Sequence, residues 1–271
     1  MTLAANRHPE LPSARLGPMQ AFTYKARDGM EIRAYLTRPP KAPAGPLPLI
    51  VMPHGGPEAR DSLTFDAWSE ILATRGYLVV QPNFRGSAGY GQWGGKMQDD
   101  ITDAVMELVK SGQADPKRIC IFGASFGGYA ALYGASQSPG LYKCAASFAG
   151  VSDLKALVEW EHRTKGHEDR YLYASRTIGH PVRDGARLRA TSPINQVDRM
   201  NIPVLLIHGA DDHSVPVEQS QMMEQAMRKA RKDVRLVVFP GEGHTDWSTR
   251  NEQLALGEIA GFIEGHIAPA R

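Results

Sequence analysis

Cysteine is scarce in this chain, with Cys120 and Cys144 the two thiols in 271 residues. Both fall inside apolar runs that read as strands. Separate buried thiols are therefore expected rather than a bridge, and the redox compartment is barely constrained. An excess of charge is missing too: 31 Lys and Arg stand against 29 Asp and Glu, a formal net charge of +2. With no basic cluster either, nucleic acid and acidic membrane surfaces are not expected partners. No apolar run approaches the ~20 residues of a membrane span. The first ten residues lack the apolar core of a secretory signal, which gives a cytoplasmic location as the expectation. What remains is ordinary for a soluble globular protein, 42% apolar and 22% charged, and long enough to bury a substantial core.

The apolar patterning is that of an α/β protein. Residues 1–18 carry three prolines and no periodicity, and read as a linker or surface tail. Residues 22–27 and 31–37 alternate around Asp28-Gly29, the signature of an antiparallel hairpin. A proline-rich connector at 39–48 is not expected to hold a ladder. Short apolar strands follow at 49–52, 78–81, 119–122, 144–148, 203–208 and 235–239. Between them lie helical stretches at 67–74, 98–110, 128–135, 218–231 and 252–266. Residues 150–200 are richer in charge and aromatics, like a helical insertion over the sheet edge. Strands alternating with helices after a leading hairpin predict one open, mostly parallel sheet covered on both faces, spanning residues 19–271.

One stretch carries chemistry. Gly123-Ala124-Ser125-Phe126-Gly127 fits Gly-x-Ser-x-Gly between a predicted strand and a predicted helix. A strand turning at once into a helix strains its middle residue and needs small neighbours, so Ser125 would stand exposed over a helix N-terminus. A serine hydroxyl needs a base, and the base needs an acid. These should follow Ser125 in the order acid, then histidine, each after a strand. His208-Gly209-Ala210-Asp211-Asp212-His213 supplies the first loop and Gly241-Glu242-Gly243-His244 the second. Spacing alone does not choose between Asp211 and Asp212. His208 reads as a structural hydrogen-bonding group and His213 as a surface residue. A zinc site on His208, Asp211, Asp212 and His244 lacks any compact ligand motif, and no metal or other cofactor is expected.

Two amides should receive the negative charge of an acyl-transfer intermediate. The N–H of Phe126 begins the nucleophile helix, and His54-Gly55-Gly56-Pro57 after an early strand can turn a second amide inward. Phosphate binding by the glycine-rich runs fails on detail, since neither contains the Gly-Lys-Ser/Thr of a P-loop.

The ordered set of motifs resembles the catalytic domain of the prolyl oligopeptidase family of serine peptidases, nearest its acylaminoacyl-peptidase and dipeptidyl-peptidase branches. It includes Ala26-Arg27-Asp28-Gly29, His54-Gly55-Gly56-Pro57 and Asn83-Phe84-Arg85-Gly86-Ser87-Ala88-Gly89-Tyr90-Gly91. It continues with Gly123 to Gly128, Ser192-Pro193-Ile194, His208 to Asp212, Val215-Pro216, Gln219-Ser220 and Gly241 to His244. The resemblance implies an α/β-hydrolase fold, with Ser125 as nucleophile and His244 as base. The family's acid stands three residues before the valine of its Asp-x-x-Val motif, which points to Asp212. Its acylaminoacyl branch places the oxyanion amides on Gly56 and Phe126. Some relatives use a tyrosine hydroxyl where this chain has His54, which favours the amide version here.

The resemblance also implies short peptides or acylated peptides as substrates. An acyl pocket would be walled by Phe126 and by Val151, Leu154, Leu157 and Trp160, with preference for an uncharged, apolar residue. No acidic residue stands in that set, and Asp153 and Glu159 are expected to face solvent. Typical members carry a β-propeller before this domain, so the chain is expected to be a piece of a larger peptidase rather than a free-standing hydrolase. A carboxylesterase using the same residues and a catalytically silent scaffold are the alternative functions.

Overall fold

The computed structural model describes residues 16–56, 58–88, 96–164 and 166–269. Most of the expected tail, Pro57, and Gly89, Tyr90 and Gly91 of the glycine-rich loop lie outside the described residues. A hairpin of β1 (Met19–Lys25) and β2 (Glu31–Thr37) leads, followed by β3 (Leu47–Val51), α1 (Ala67–Thr74), β4 (Leu78–Asn83) and α2 (Met97–Lys110). Then come β5 (Ala114–Ala124), α3 (Phe126–Gln137) and β6 (Cys144–Phe148). The segment before the next strand folds as α4 (Leu154–Arg163), α5 (Glu168–Thr177), α6 (Gly185–Thr191) and a 3₁₀ helix over Pro193–Arg199. The chain closes with β7 (Val204–Gly209), α7 (Glu218–Lys229), β8 (Val234–Phe239) and α8 (Thr249–Ile267).

Among the described residues the strands form one sheet in the order β1-β2-β4-β3-β5-β6-β7-β8. The β1–β2 and β2–β4 pairs are antiparallel and all pairs from β4 to β8 are parallel. This is the α/β-hydrolase architecture. Period-2 alternation divides the strand side chains between two cores. Leu49, Val51, Ile119, Ile121, Val204 and Leu206 face α2, α3 and α7. Ile50, Cys120, Phe122, Leu205 and Ile207 face α1 and α8. Both sides being apolar is why these strands read as continuous hydrophobic runs rather than alternating ones. Among the described residues no helix is long and apolar enough to cross a membrane.

Three local expectations need correction. Pro48, assigned to the connector, lies inside β3, at the point where the β3–β5 register shifts between Leu47 and Leu49. A proline is tolerated in a sheet where the ladder is already interrupted. Strand β5 begins at Ala114, well before the apolar run at 119, because its Asp115-Pro116-Lys117-Arg118 stretch is polar and hides the pairing of Ala114 with Leu47. Cys120 and Cys144 are joined in a disulfide. They are register partners on neighbouring parallel strands with Cα atoms 4.8 Å apart, a proximity that only strand order creates.

Candidate active site

In a parallel sheet the loops leaving the carboxyl ends of the strands converge above one edge, and a crevice forms where strand order reverses. Here that point lies between β3, whose next strand β4 is on one side, and β5, whose next strand β6 is on the other. The loops after β3, β5, β7 and β8 bring the sequence-selected residues to this edge.

Ser125 sits between β5 and α3 with φ 56° and ψ −119°, a left-handed conformation that a residue with a Cβ rarely adopts. Its N–H donates to the Phe148 carbonyl at 2.8 Å, which locks the turn to β6. The turn closes only because α3 approaches the sheet very closely. A Cβ on Gly127 would lie 2.1 Å from the Pro53 carbonyl oxygen. The loop after β3 therefore rests directly on the nucleophile turn. Gly56, at the end of that loop, has φ +114° and lines the same cavity as Ser125 and Phe126. Phe126 is the first residue of α3, so its N–H points out of the helix N-terminus, where a developing anion is favoured.

His244 bridges the other two residues. Its Nε2 lies 3.0 Å from Ser125 Oγ and its Nδ1 lies 2.7 Å from Asp212 Oδ2. With Nδ1–H donating to the carboxylate, Nε2 is left to accept the serine proton. Asp212 is buried and tightly held. Its Oδ1 accepts from the N–H groups of Ser214 and Val215 at 2.7 and 2.8 Å. Burial pushes its pKa upward, but hydrogen bonds from His208, His244 and the Val215 amide outweigh that, and its carboxyl is held well below the usual range. Asp211 is exposed, and its backbone N–H donates to the Glu242 carbonyl at 2.9 Å.

His208 is fully buried and structural. Its Nδ1 meets Ser220 Oγ at 2.7 Å, and its Nε2 donates to the Val215 carbonyl at 2.8 Å, with Asp212 Oδ2 at 3.3 Å. His54 likewise spends both ring nitrogens elsewhere, on the Gly55 carbonyl and on Ser87 Oγ, each at 2.7 Å. Burial lowers its pKa, against the Gly55 hydrogen bond. His54 is thus committed to fixing the loop rather than reaching into the cavity.

The remaining motifs hold the frame. Gln219 Oε1 accepts from the N–H groups of Ser152 and Asp153, and Ser192 Oγ accepts from Leu154 N–H. Glu242, unremarked in the sequence, ties the His244 loop to the start of α8 through Ser248 and Asn251, each at 2.6 Å.

A cavity of about 820 Å³ opens beside Ser125 and His244. Phe126, Val151, Leu154 and Leu157 line it as expected. Trp160 does not. It packs against the Val151, Leu157 and Val215 cluster, against His167 and beneath Arg170. Asp153 caps α4 by accepting from Ala156 N–H, and Glu159 pairs with Lys155. Sequence reasoning missed Tyr129, Val215, Glu161 and Arg170, which also line the cavity. Tyr129 was findable, being three residues past Phe126 on one helix face. The others depend on how the insertion helices fold back.

Comparison with known proteins identifies the family. The model of the prolyl oligopeptidase family matches residues 63–269. The chain belongs to the prolyl oligopeptidase family. Dipeptidyl aminopeptidase BIII of Pseudoxanthomonas mexicana, one relative in that family, is 32% identical over 97% of this chain. A Mycobacterium tuberculosis puromycin-hydrolyzing peptidase superposes with a TM-score of 0.85 at 30% identity, covering 95% of this chain. An acylaminoacyl peptidase in complex with Z-Gly-Gly-Phe-chloromethyl ketone superposes with a TM-score of 0.84 at 26% identity over 94% of this chain. The chain spans 40%, 40% and 43% of these three proteins respectively. Prolyl oligopeptidase family members are serine peptidases, and the chemistry available at this edge is acyl transfer through a serine.

Proposed function

We propose that the chain is the catalytic part of a serine peptidase that hydrolyses peptide or acyl-peptide bonds through an acyl-enzyme. Ser125 Oγ attacks the acyl carbonyl while His244 Nε2 takes its proton. Asp212 orients the imidazole and stabilises its charged form. The amides of Phe126 and Gly56 receive the negative charge on the carbonyl oxygen. Protonated His244 then gives its proton to the departing amine, and water releases the acid by the same steps in reverse. The observation that carries this reading is the unbroken Asp212–His244–Ser125 hydrogen-bond relay at the mouth of a mainly apolar cavity.

The acyl side of the cut is taken to be an uncharged, apolar residue. Phe126, Val151, Leu154 and Leu157 would meet it, and burying an unpaired charge among them costs far more than contact returns. The chloromethyl ketone bound by the acylaminoacyl peptidase places phenylalanine next to its reactive carbon, in keeping with this choice. The propeller that typical family members carry is part of the proposal as a gate over the cavity; the chain spans 40% of the length of dipeptidyl aminopeptidase BIII.

The test is labelling by a fluorophosphonate, located by peptide mass. The adduct is expected on Ser125, and labelling of Ser125→Ala at unchanged stoichiometry would sink the reading. Peptide anilides assayed beside aryl esters then separate a peptidase from a carboxylesterase.

A further inference from the structure

The cavity holds a charge that its apolar walls give no reason to expect. Along α4 the residues facing it are Leu154, Leu157 and Glu161, stacked in one stripe by their i, i+3, i+7 spacing. Glu161 is 5% exposed, so its carboxylate is largely removed from water. Asp169, Arg176 and Arg187 also line the cavity but are exposed. A carboxylate out of water must be paired. Glu161 Oε1 accepts from Arg170 Nη2 at 2.6 Å and Oε2 meets His167 Nδ1 at 2.7 Å. Arg170 is itself a lining residue, and its further contacts carry no formal charge. It donates to the His213 and Ser214 carbonyls at 2.7 and 3.1 Å and lies over the Trp160 ring at 5.7 Å. These contacts pin the guanidinium beside Glu161, so the two charges cancel inside the cavity.

We infer that Glu161 and Arg170 together set the charge selectivity of the acyl pocket, on the reading above that this cavity receives the substrate's acyl side chain. While they are paired, the apolar walls decide what enters. An incoming ammonium has to break the charged hydrogen bond between Arg170, whose side chain is 40% exposed, and Glu161, and an incoming carboxylate has to displace Glu161 and strand that buried anion. One ion pair thus rejects both signs of charge. Removing either partner leaves the other to select its opposite: without Arg170, Glu161 Oε1 takes a lysine-like side chain while His167 Nδ1 stays on Oε2, and without the Glu161 charge Arg170 takes an acidic one.

The experiment compares wild type with Glu161→Gln, Arg170→Met and the double variant. The readout is the rate of covalent labelling by peptidyl diphenyl phosphonates whose acyl-side residue is a leucine, lysine or glutamate analogue. A plain fluorophosphonate is run beside them. Arg170→Met is expected to raise the lysine-to-leucine rate ratio at least tenfold, and Glu161→Gln to raise the glutamate-to-leucine ratio similarly. The double variant should return to the leucine preference. Unchanged ratios in both single variants overturn the inference, as does a charge preference that persists in the double variant. If Arg170→Met does not fold by circular dichroism, Glu161→Gln decides alone, because the amide keeps the size and shape of the carboxylate. Failure of the plain fluorophosphonate to label any of the proteins would refute Ser125 as nucleophile, a distinct outcome with which this inference falls.

Discussion

Gly127→Ala tests how the loop carrying Gly56 is held against the nucleophile turn. The added methyl would sit 2.1 Å from the Pro53 carbonyl oxygen, 3.1 Å from the Pro53 carbonyl carbon and 3.2 Å from the His54 carbonyl oxygen. All three are backbone atoms, so no side chain can swing away to make room. Restoring an ordinary carbon–oxygen contact requires the loop and α3 to separate by roughly 1 Å. Overpacking of this kind costs about 1–3 kcal/mol, which lowers the melting temperature without abolishing the fold. The larger effect falls on the chemistry. A displacement of that size moves the Gly56 amide relative to Ser125, and misplacement by about 1 Å can cost on the order of 10² in rate. Turnover of a small aryl ester should therefore drop about 10²-fold. Gly55→Ala is the control, because its methyl would meet Ala124 O at 3.3 Å and Ser125 Cβ at 3.5 Å, contacts that small adjustments relieve. A folded Gly127→Ala protein with kcat within twofold of wild type, or a Gly55→Ala protein as impaired as Gly127→Ala, would refute the argument.

Ser125→Gly should melt higher than Ser125→Ala, both being inactive, because glycine adopts the φ of 56° without the strain of roughly 1–3 kcal/mol that a Cβ brings; thermal melts of the pair decide it. Asp212→Asn should lose about 10⁴ in turnover, whereas Asp211→Asn, altering an exposed side chain, should lose little; equal losses would show the wrong acid was chosen. Asp212 has a folded pKa below its unfolded value, so its contribution to stability is present above about pH 4 and fades as pH falls toward the folded value. The stability gap between wild type and Asp212→Asn, followed by urea unfolding, should therefore narrow below that pH. Asp61 runs the other way: burial first, then repulsion from Asp66, pushes it up to about 7 against the Gln81 hydrogen bond, and Asp61 Oδ2 and Gln81 Oε1 have no hydrogen-bond partner among the described residues. Its ionisation in the fold is penalised as pH rises from the unfolded value through 7, so Asp61→Asn should raise the melting temperature more at pH 8 than at pH 5.

What the sequence determined by itself was everything that local chemistry encodes. The strands of the parallel sheet were legible because burial on both faces makes them short continuous apolar runs. The turn at Ser125 was legible because its geometry tolerates only small neighbours, and the order of Ser125, Asp212 and His244 followed from each loop leaving a strand end. The preference for Asp212 over Asp211 came from resemblance; in the fold Asp212 is the buried one of the two, with its oxygens engaged by Ser214 and His244. Tertiary structure decided whatever depended on which strands are neighbours and how helices return. Cys120 and Cys144 meet only because β5 and β6 are adjacent. Pro48 could enter a strand only because a register shift falls there. Trp160 packs against the Val151, Leu157 and Val215 cluster without lining the cavity, and Glu161 lines it. Arg170 reached the His213 and Ser214 carbonyls of the Asp212 loop, 43 and 44 residues along the chain. Periodicity reports which face of an element is buried, but which partner that face meets is a property of the assembled fold.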